Sequence, residues 1–301
     1  MEQQGETPQW VDPMMRGGYA ARGVVNFLVG VFAFGAAWYE TGEAEGTTGA
    51  LKSLLGGGLG IVLLVLIAVG LAAYAAWRVT DAWLDLEDHG LDPAGLLARS
   101  GMVITGLFNL GLAGYALSLI WTANFSFGGS GGSSGGSGGA SGAKGVTAWV
   151  MSLPYGRWAI AAAGLVILGA GLYFFRKAWS GSYKQHLECT RLSERLDPLA
   201  KIGLVAEGIV IAIIGGFFVW AGWTADPNQA GGLGEALRTL HQQAYGRVLL
   251  GAVAIGLMLY CLYCLIEAVY RFIPRLKGAD TLTLADRWQD KAERQLRELV
   301  D

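Results

Sequence analysis

Six long apolar stretches divide the chain, at residues 23–39, 59–79, 102–121, 158–175, 202–223 and 248–266, and polar or glycine-rich segments separate them. Each is near the roughly 17–25 residues that an α-helix needs to cross the hydrocarbon core, and none alternates as a barrel strand would. The pattern predicts an all-α integral membrane protein with six transmembrane helices. Leucine-spaced stretches precede the second, fourth and sixth of these: "GALKSLLGGG" at 49–58, "VTAWVMSLPYGR" at 146–157 and "GLGEALRTLHQQAYGR" at 232–247. They predict short helices lying at one membrane surface. Trp38, Trp121, Trp220 and Trp223 at that side, with Trp77, Trp83 and Trp179 at the other, predict two aromatic belts.

Composition agrees: 53% of residues are hydrophobic, 15% are charged, and the mean hydropathy is +0.41, which excludes an ordinary water-soluble domain. The first residues, "MEQQGETPQWVDPMMR", lack the basic region of a cleaved signal, so the first apolar stretch is expected to be retained. Of 22 Lys and Arg, 17 fall on the side that holds both termini. The positive-inside rule then predicts cytoplasmic termini. A net charge of −2 gives no sign of a nucleic-acid partner, and three cysteines give no disulfide framework.

The chain repeats itself. Arg16-Gly17-Gly18 followed by Gly23, Arg99-Ser100-Gly101 followed by Gly106, and Lys201-Ile202-Gly203 followed by Gly208 share the spacing basic-x-Gly-x4-Gly at the start of odd-numbered spans. Even-numbered spans end on Gly70…Tyr74…Arg78, Gly169…Tyr173…Lys177 and Gly256…Tyr260…Cys264. From the first glycine of the leading motif to the glycine of the trailing one the separations are 52, 68 and 53 residues. The excess in the middle copy matches "FGGSGGSSGGSGGASGAK" at 127–144, which reads as an expanded flexible loop inside one repeat. An engineered insertion is the other reading of that tract, although "GGASGAKG" is less regular than a laboratory linker. Three parallel two-helix repeats follow, at 14–88, 97–185 and 199–275, with a cytoplasmic amphipathic helix at 280–301. Such parallel repeats predict a pseudo-threefold axis normal to the membrane.

With "RGGYAARGVV" at the start, "GLAAYAAWR" at a trailing end and "AYGRVLLGAVAIGLMLY" in the last unit, residues ~14 to ~275 resemble a bacterial membrane family known only as domain of unknown function 1206. The resemblance implies a six-helix bundle with three internal repeats in a bacterial inner membrane. It brings no activity or catalytic residue.

Candidate residues fall into three groups. Gly18, Gly23, Gly101, Gly106, Gly203 and Gly208 allow close approach of helices in lipid, and Gly111 and Gly114 extend such a face on the third span. Arg16, Arg99, Lys201, Arg78 and Lys177 lie near one set of headgroups, as snorkelling anchors or as contacts for anionic lipid headgroups or an anionic solute. Glu207 lies inside an apolar stretch, where an ionised carboxylate costs about 2.5–3.5 kcal/mol on insertion scales, and it aligns with Arg22 and Thr105. An Arg22–Glu207 pair is the structural expectation, and a proton or cation site is the functional one. Asn26 and Asn109 also align and suit interhelical hydrogen bonds.

Cys261 and Cys264 stand one turn apart and suggest packing rather than redox chemistry, and no pair of histidines is placed to clamp a haem. No cofactor or metal is expected. The pattern favours a non-enzymatic membrane protein, an accessory or scaffold subunit with a membrane-protein partner. A small transporter or channel using the axial region is the alternative, and a lipid-handling enzyme comes third.

Overall fold

The computed structural model describes residues 11–38, 46–56, 58–84, 93–125, 140–186 and 191–270. Nine α-helices are present among them: α1 (Val11–Trp38), α2 (Thr47–Ser53), α3 (Gly58–Leu84), α4 (Pro93–Phe125), α5 (Ala140–Met151), α6 (Gly156–Ser180), α7 (Arg191–Thr224), α8 (Leu233–His241) and α9 (Gly246–Tyr270). Six of these are long and apolar enough to cross a membrane: α1, α3, α4, α6, α7 and α9. This is the make-up of a multi-pass membrane protein. The face at which α1, α4 and α7 begin is called basal here, and the opposite face carries α2, α5 and α8.

The helices run past the apolar stretches. α4 starts at Pro93 and α7 at Arg191, ahead of the unit starts expected at 97 and 199. Helix α7 continues through Pro198, since a proline near the start of a long helix removes only one internal hydrogen bond. Short helices α2 and α8 bury Ala50 with Leu51 and Ala236 with Leu237. Helix α5 begins at Ala140, so the last residues of the tract at 127–144 are helical rather than loop. The expected helix at 280–301 lies outside the described residues. Trp77 is only 1% exposed, packed with Met15, Tyr19 and Tyr74, and so is not a belt residue. The other belt tryptophans, including Trp83 and Trp179, are exposed.

Glycines decide which helices touch. The second glycine of each leading motif faces the trailing helix of another unit: a side-chain carbon on Gly23 would meet Cys264 at 3.1 Å, on Gly106 the Ala75 carbonyl at 3.2 Å, and on Gly208 the Gly171 carbonyl at 3.1 Å. These contacts join α1 to α9, α4 to α3 and α7 to α6. The first glycine faces its own hairpin partner. A carbon on Gly18 would fall 2.5 Å from Tyr74 Cβ and one on Gly203 2.5 Å from the Tyr260 backbone nitrogen, while Gly70 closes on Ala21 and Gly256 on Ala206. Only backbone-to-backbone packing without side chains fits there.

The middle unit departs from this. At Gly101 and Gly169 an added carbon meets nothing within 4 Å, and Tyr173 is 56% exposed where Tyr74 and Tyr260 are 0% and 2%. Gly111 and Gly114 likewise face open space. The packing expected at Gly101 is therefore not made within the chain, and α4 and α6 do not pack along each other. The alignment supplies the reason. Ala21 and Ala206, the residues received by Gly70 and Gly256, correspond to Ile104, whose branched side chain is too large for that crossing.

The six spans thus follow one another in space in the order α4, α3, α1, α9, α7, α6. Two hydrogen bonds show how the row bends. Arg22 on α1 reaches Glu207 on α7 past α9, and Lys177 on α6 reaches Tyr263 on α9 past α7. Bonds that skip a helix can form only on the concave side of a curled row. Its two ends, α4 and α6, flank a mouth.

Candidate functional site

Charged and phenolic groups gather on the concave side toward the basal face. Tyr74 and Tyr260, four residues past Gly70 and Gly256, stay on the side of α3 and α9 that the glycines press against α1 and α7. Between these rings lies the Arg22 guanidinium, 5.6 Å from the Tyr74 centroid and 5.4 Å from that of Tyr260. Its Nη1 donates to the Tyr74 hydroxyl at 3.0 Å and its Nη2 stands 3.4 Å from Glu207 Oε1. The two charged side chains are 17% and 12% exposed. Neither charge is left alone in the hydrocarbon, where an isolated ion would cost several kcal/mol.

Arg78 extends the cluster. Its Nε donates to the Tyr74 hydroxyl at 2.9 Å and its Nη2 to the Tyr19 hydroxyl at 3.2 Å, and its Nη1 lies 3.6 Å from Asp81 Oδ2. Lys177 Nζ donates to the Tyr263 hydroxyl at 2.8 Å, and that hydroxyl donates to Glu267. Asn26 and Asn109 make the same bond in their two units, from Nδ2 to the carbonyl four residues earlier, Arg22 at 3.1 Å and Thr105 at 2.8 Å. These bonds run within their own helices, in contrast to the interhelical role expected of them.

Arg16 and Arg99 hold helix ends. Arg16 Nη1 donates to the Ala268 and Val269 carbonyls at 3.0 and 2.9 Å, and Arg99 donates to those of Ala82 and Trp83 at 2.7 and 3.1 Å. Ala82 and Ala268 both stand 12 residues past their trailing glycine, so the two junctions are built alike. A cation at a helix C-terminus satisfies carbonyls that the helix leaves unpaired. Lys201 differs: its Nζ lies 3.0 Å from Asp197.

The sequence reading missed two buried carboxylates. Asp81 and Glu267, each 1% exposed, stand 11 residues past Gly70 and Gly256. Following the trailing motif three residues beyond Arg78 and Cys264 would have found them. Cys264 is buried and Cys261 half-buried on α9, against Gly23 of α1, which is a packing position. What the cluster can do chemically is hold opposite charges and phenols in register between helices.

Comparison with known proteins places this architecture. The family described as Domain of Unknown Function (DUF1206) matches residues 17–85, 100–181 and 202–271, one segment for each two-helix unit. An uncharacterized protein, YxxB, of Bacillus subtilis (strain 168) is 31% identical over 272 residues, covering 88% of this chain and 93% of that protein. No solved structure matches. With three matched segments and a relative similar along nearly its whole length, the chain belongs to the DUF1206 family.

Proposed function

We propose that the protein is a non-enzymatic accessory or scaffold subunit of a bacterial cytoplasmic membrane, which receives a transmembrane helix of another membrane protein between α4 and α6. Its three units form a pseudo-threefold ring interrupted at that mouth, and both termini face the cytoplasm. One observation carries this reading. Gly101 and Gly169 retain the positions that accept a helix in the other two hairpins, while Ile104 keeps α4 and α6 from serving each other. Two glycine-bearing faces left open inside the bilayer suit a foreign helix, because close backbone approach is what drives helix association in lipid.

A photo-crosslinking residue at Phe108 or Val166 tests it. Both are exposed and lie on the helix faces that carry Gly101 and Gly169. In cells, both positions should give one protein adduct of defined mass, identified by mass spectrometry, while the lipid-facing Leu66 on α3 should give none. Adducts with lipid alone at all three positions would refute the reading, and an adduct of twice the chain's mass would make the partner a second copy.

The second reading, a small transporter working along the axis, is favoured by the residual exposure of Arg22 and Glu207 on the concave side. It requires Glu207→Gln to abolish a solute flux in proteoliposomes while leaving the thermal stability unchanged.

A further inference from the structure

The junction between α6 and α7 is the one where the leading cation does not hold the neighbouring helix end. At the two corresponding junctions, Arg16 and Arg99 bind carbonyls 12 and 13 residues past the trailing glycine. In the middle unit the corresponding residues are Gly181 and Ser182. Helix α6 ends there by itself: Gly181 adopts φ 66° and ψ 19°, and its N–H donates to the Lys177 carbonyl at 3.1 Å. Such a left-handed cap satisfies the helix end without a cation. Lys201, relieved of that task, lies toward the surface.

Beside it a groove of about 500 Å³ opens along the basal end of α6 and α7, lined by Phe175, Ala178, Trp179, Lys201, Ile202 and Val205. Trp179, Ile202 and Val205 are exposed, and Trp179 lies in the last turn of α6, where an interfacial tryptophan is expected. Among the described groups at the groove's end, two lysines share one carboxylate. Asp197 serves both Lys184 Nζ at 2.8 Å and Lys201 Nζ at 3.0 Å, leaving one net positive charge among these three, and both lysine side chains are 40% exposed.

We infer that this groove binds one anionic phospholipid, with an acyl chain along Phe175, Ile202 and Val205 and its phosphate at Lys201 and Lys184. An apolar trough in the hydrocarbon region ending on ammonium groups at the interface has the chemistry of that ligand: a hydrocarbon chain takes the trough and a phosphodiester takes the charge. A free anion would gain nothing from the trough, and a zwitterionic lipid would bring its own cation to the lysines. The site is separate from the mouth between α4 and α6, so each can fail without the other.

The test is native mass spectrometry of the full chain released from nanodiscs of equal phosphatidylglycerol and phosphatidylcholine with matched acyl chains. The wild type should retain one phosphatidylglycerol with about five-fold preference, the weight of one lysine near an anionic headgroup. Lys201→Ala should abolish the preference, and Val205→Trp, which fills the trough but keeps the charge, should lower retention of both lipids. Arg157→Ala on the opposite face is the control and should behave as the wild type. Should Val205→Trp not fold, Ile202→Phe narrows the same trough from an exposed position. Equal retention of the two lipids by the wild type, or unchanged retention in folded Lys201→Ala and trough-filling variants, would overturn the site.

Discussion

Glu207 stands about 17 residues before the end of α7, which puts it near the basal edge of a hydrocarbon layer that some 20 helical residues span. There it can meet Arg22 without either charge reaching the bilayer centre. Glu207→Gln should destabilise the protein in detergent by about 3 kcal/mol, because it leaves the guanidinium buried and uncompensated. Arg22→Gln in the same chain should recover part of that loss, a non-additive result readable from thermal unfolding of the four forms. Additive losses would remove the pair from the account. The partners were legible in the sequence, since Arg22 and Glu207 occupy the same place in their units. Asp81 and Glu267 were not, because both lie just past the ends of the apolar stretches 59–79 and 248–266, where a carboxylate is ordinarily solvated. A further charge lies outside the membrane: the Asp226 carboxylate accepts the Asn228 N–H at 2.9 Å, and this bond, with the Gln229 amide, holds its pKa below the usual value. A lowered carboxylate pKa means that the turn at Pro227–Gln229 is supported above the ordinary value near 3.9 and loses that support as pH falls through the lowered one. The protection of the Asn228 amide against exchange, relative to its intrinsic rate at each pH, should fall in that acidic range.

At the scale of elements, the same glycine has opposite consequences in different hairpins. Gly70→Ala and Gly256→Ala place a methyl 2.3 and 2.2 Å from Ala21 and Ala206 and should each cost about 1–3 kcal/mol of overpacking. Gly169→Ala meets open space and should be neutral or stabilising by up to about 1 kcal/mol, as a helix loses a glycine. Detergent melting curves of the three variants check this ordering. The periodicity of the sequence made the six spans and their glycine motifs legible. It did not reveal that the middle hairpin stays open, because the motif residues are intact there and the obstruction, Ile104, is an apolar residue among apolar neighbours. Helix α6 finds its support on α7 instead, where Gly164, Gly215 and Gly222 bring the two backbones together. Lys201 was legible as a cation but not as the exception among its equivalents, which depends on how Gly181 ends α6.

At the scale of the molecule, a row of six helices curls around a charged interior and leaves α4 and α6 at its ends. The proposed orientation predicts that cysteines at Ser134 and Lys184 react with an impermeant thiol reagent from outside and from inside, respectively, and labelling of Lys184→Cys in intact cells would reverse it. Residues 126–139 lie between α4 and α5, so deleting residues 129–139 should leave the fold intact, with a closure cost that changes by only about 0.6 kcal/mol for each doubling or halving of a flexible connection and falls as it shortens. The central claim is the open mouth, and disulfide trapping in native membranes tests it most directly. With the three native cysteines replaced, Gly101→Cys and Tyr173→Cys occupy positions whose equivalents touch in both other hairpins. The account predicts no intramolecular disulfide between them, because a carbon added at Gly101 meets nothing within 4 Å, whereas the two Cβ atoms of a disulfide stand about 3.8 Å apart, and predicts that adding Ile104→Ala lets it form. Efficient bonding with Ile104 in place would contradict the account, since the middle hairpin would then close like the other two and leave no seat for a partner.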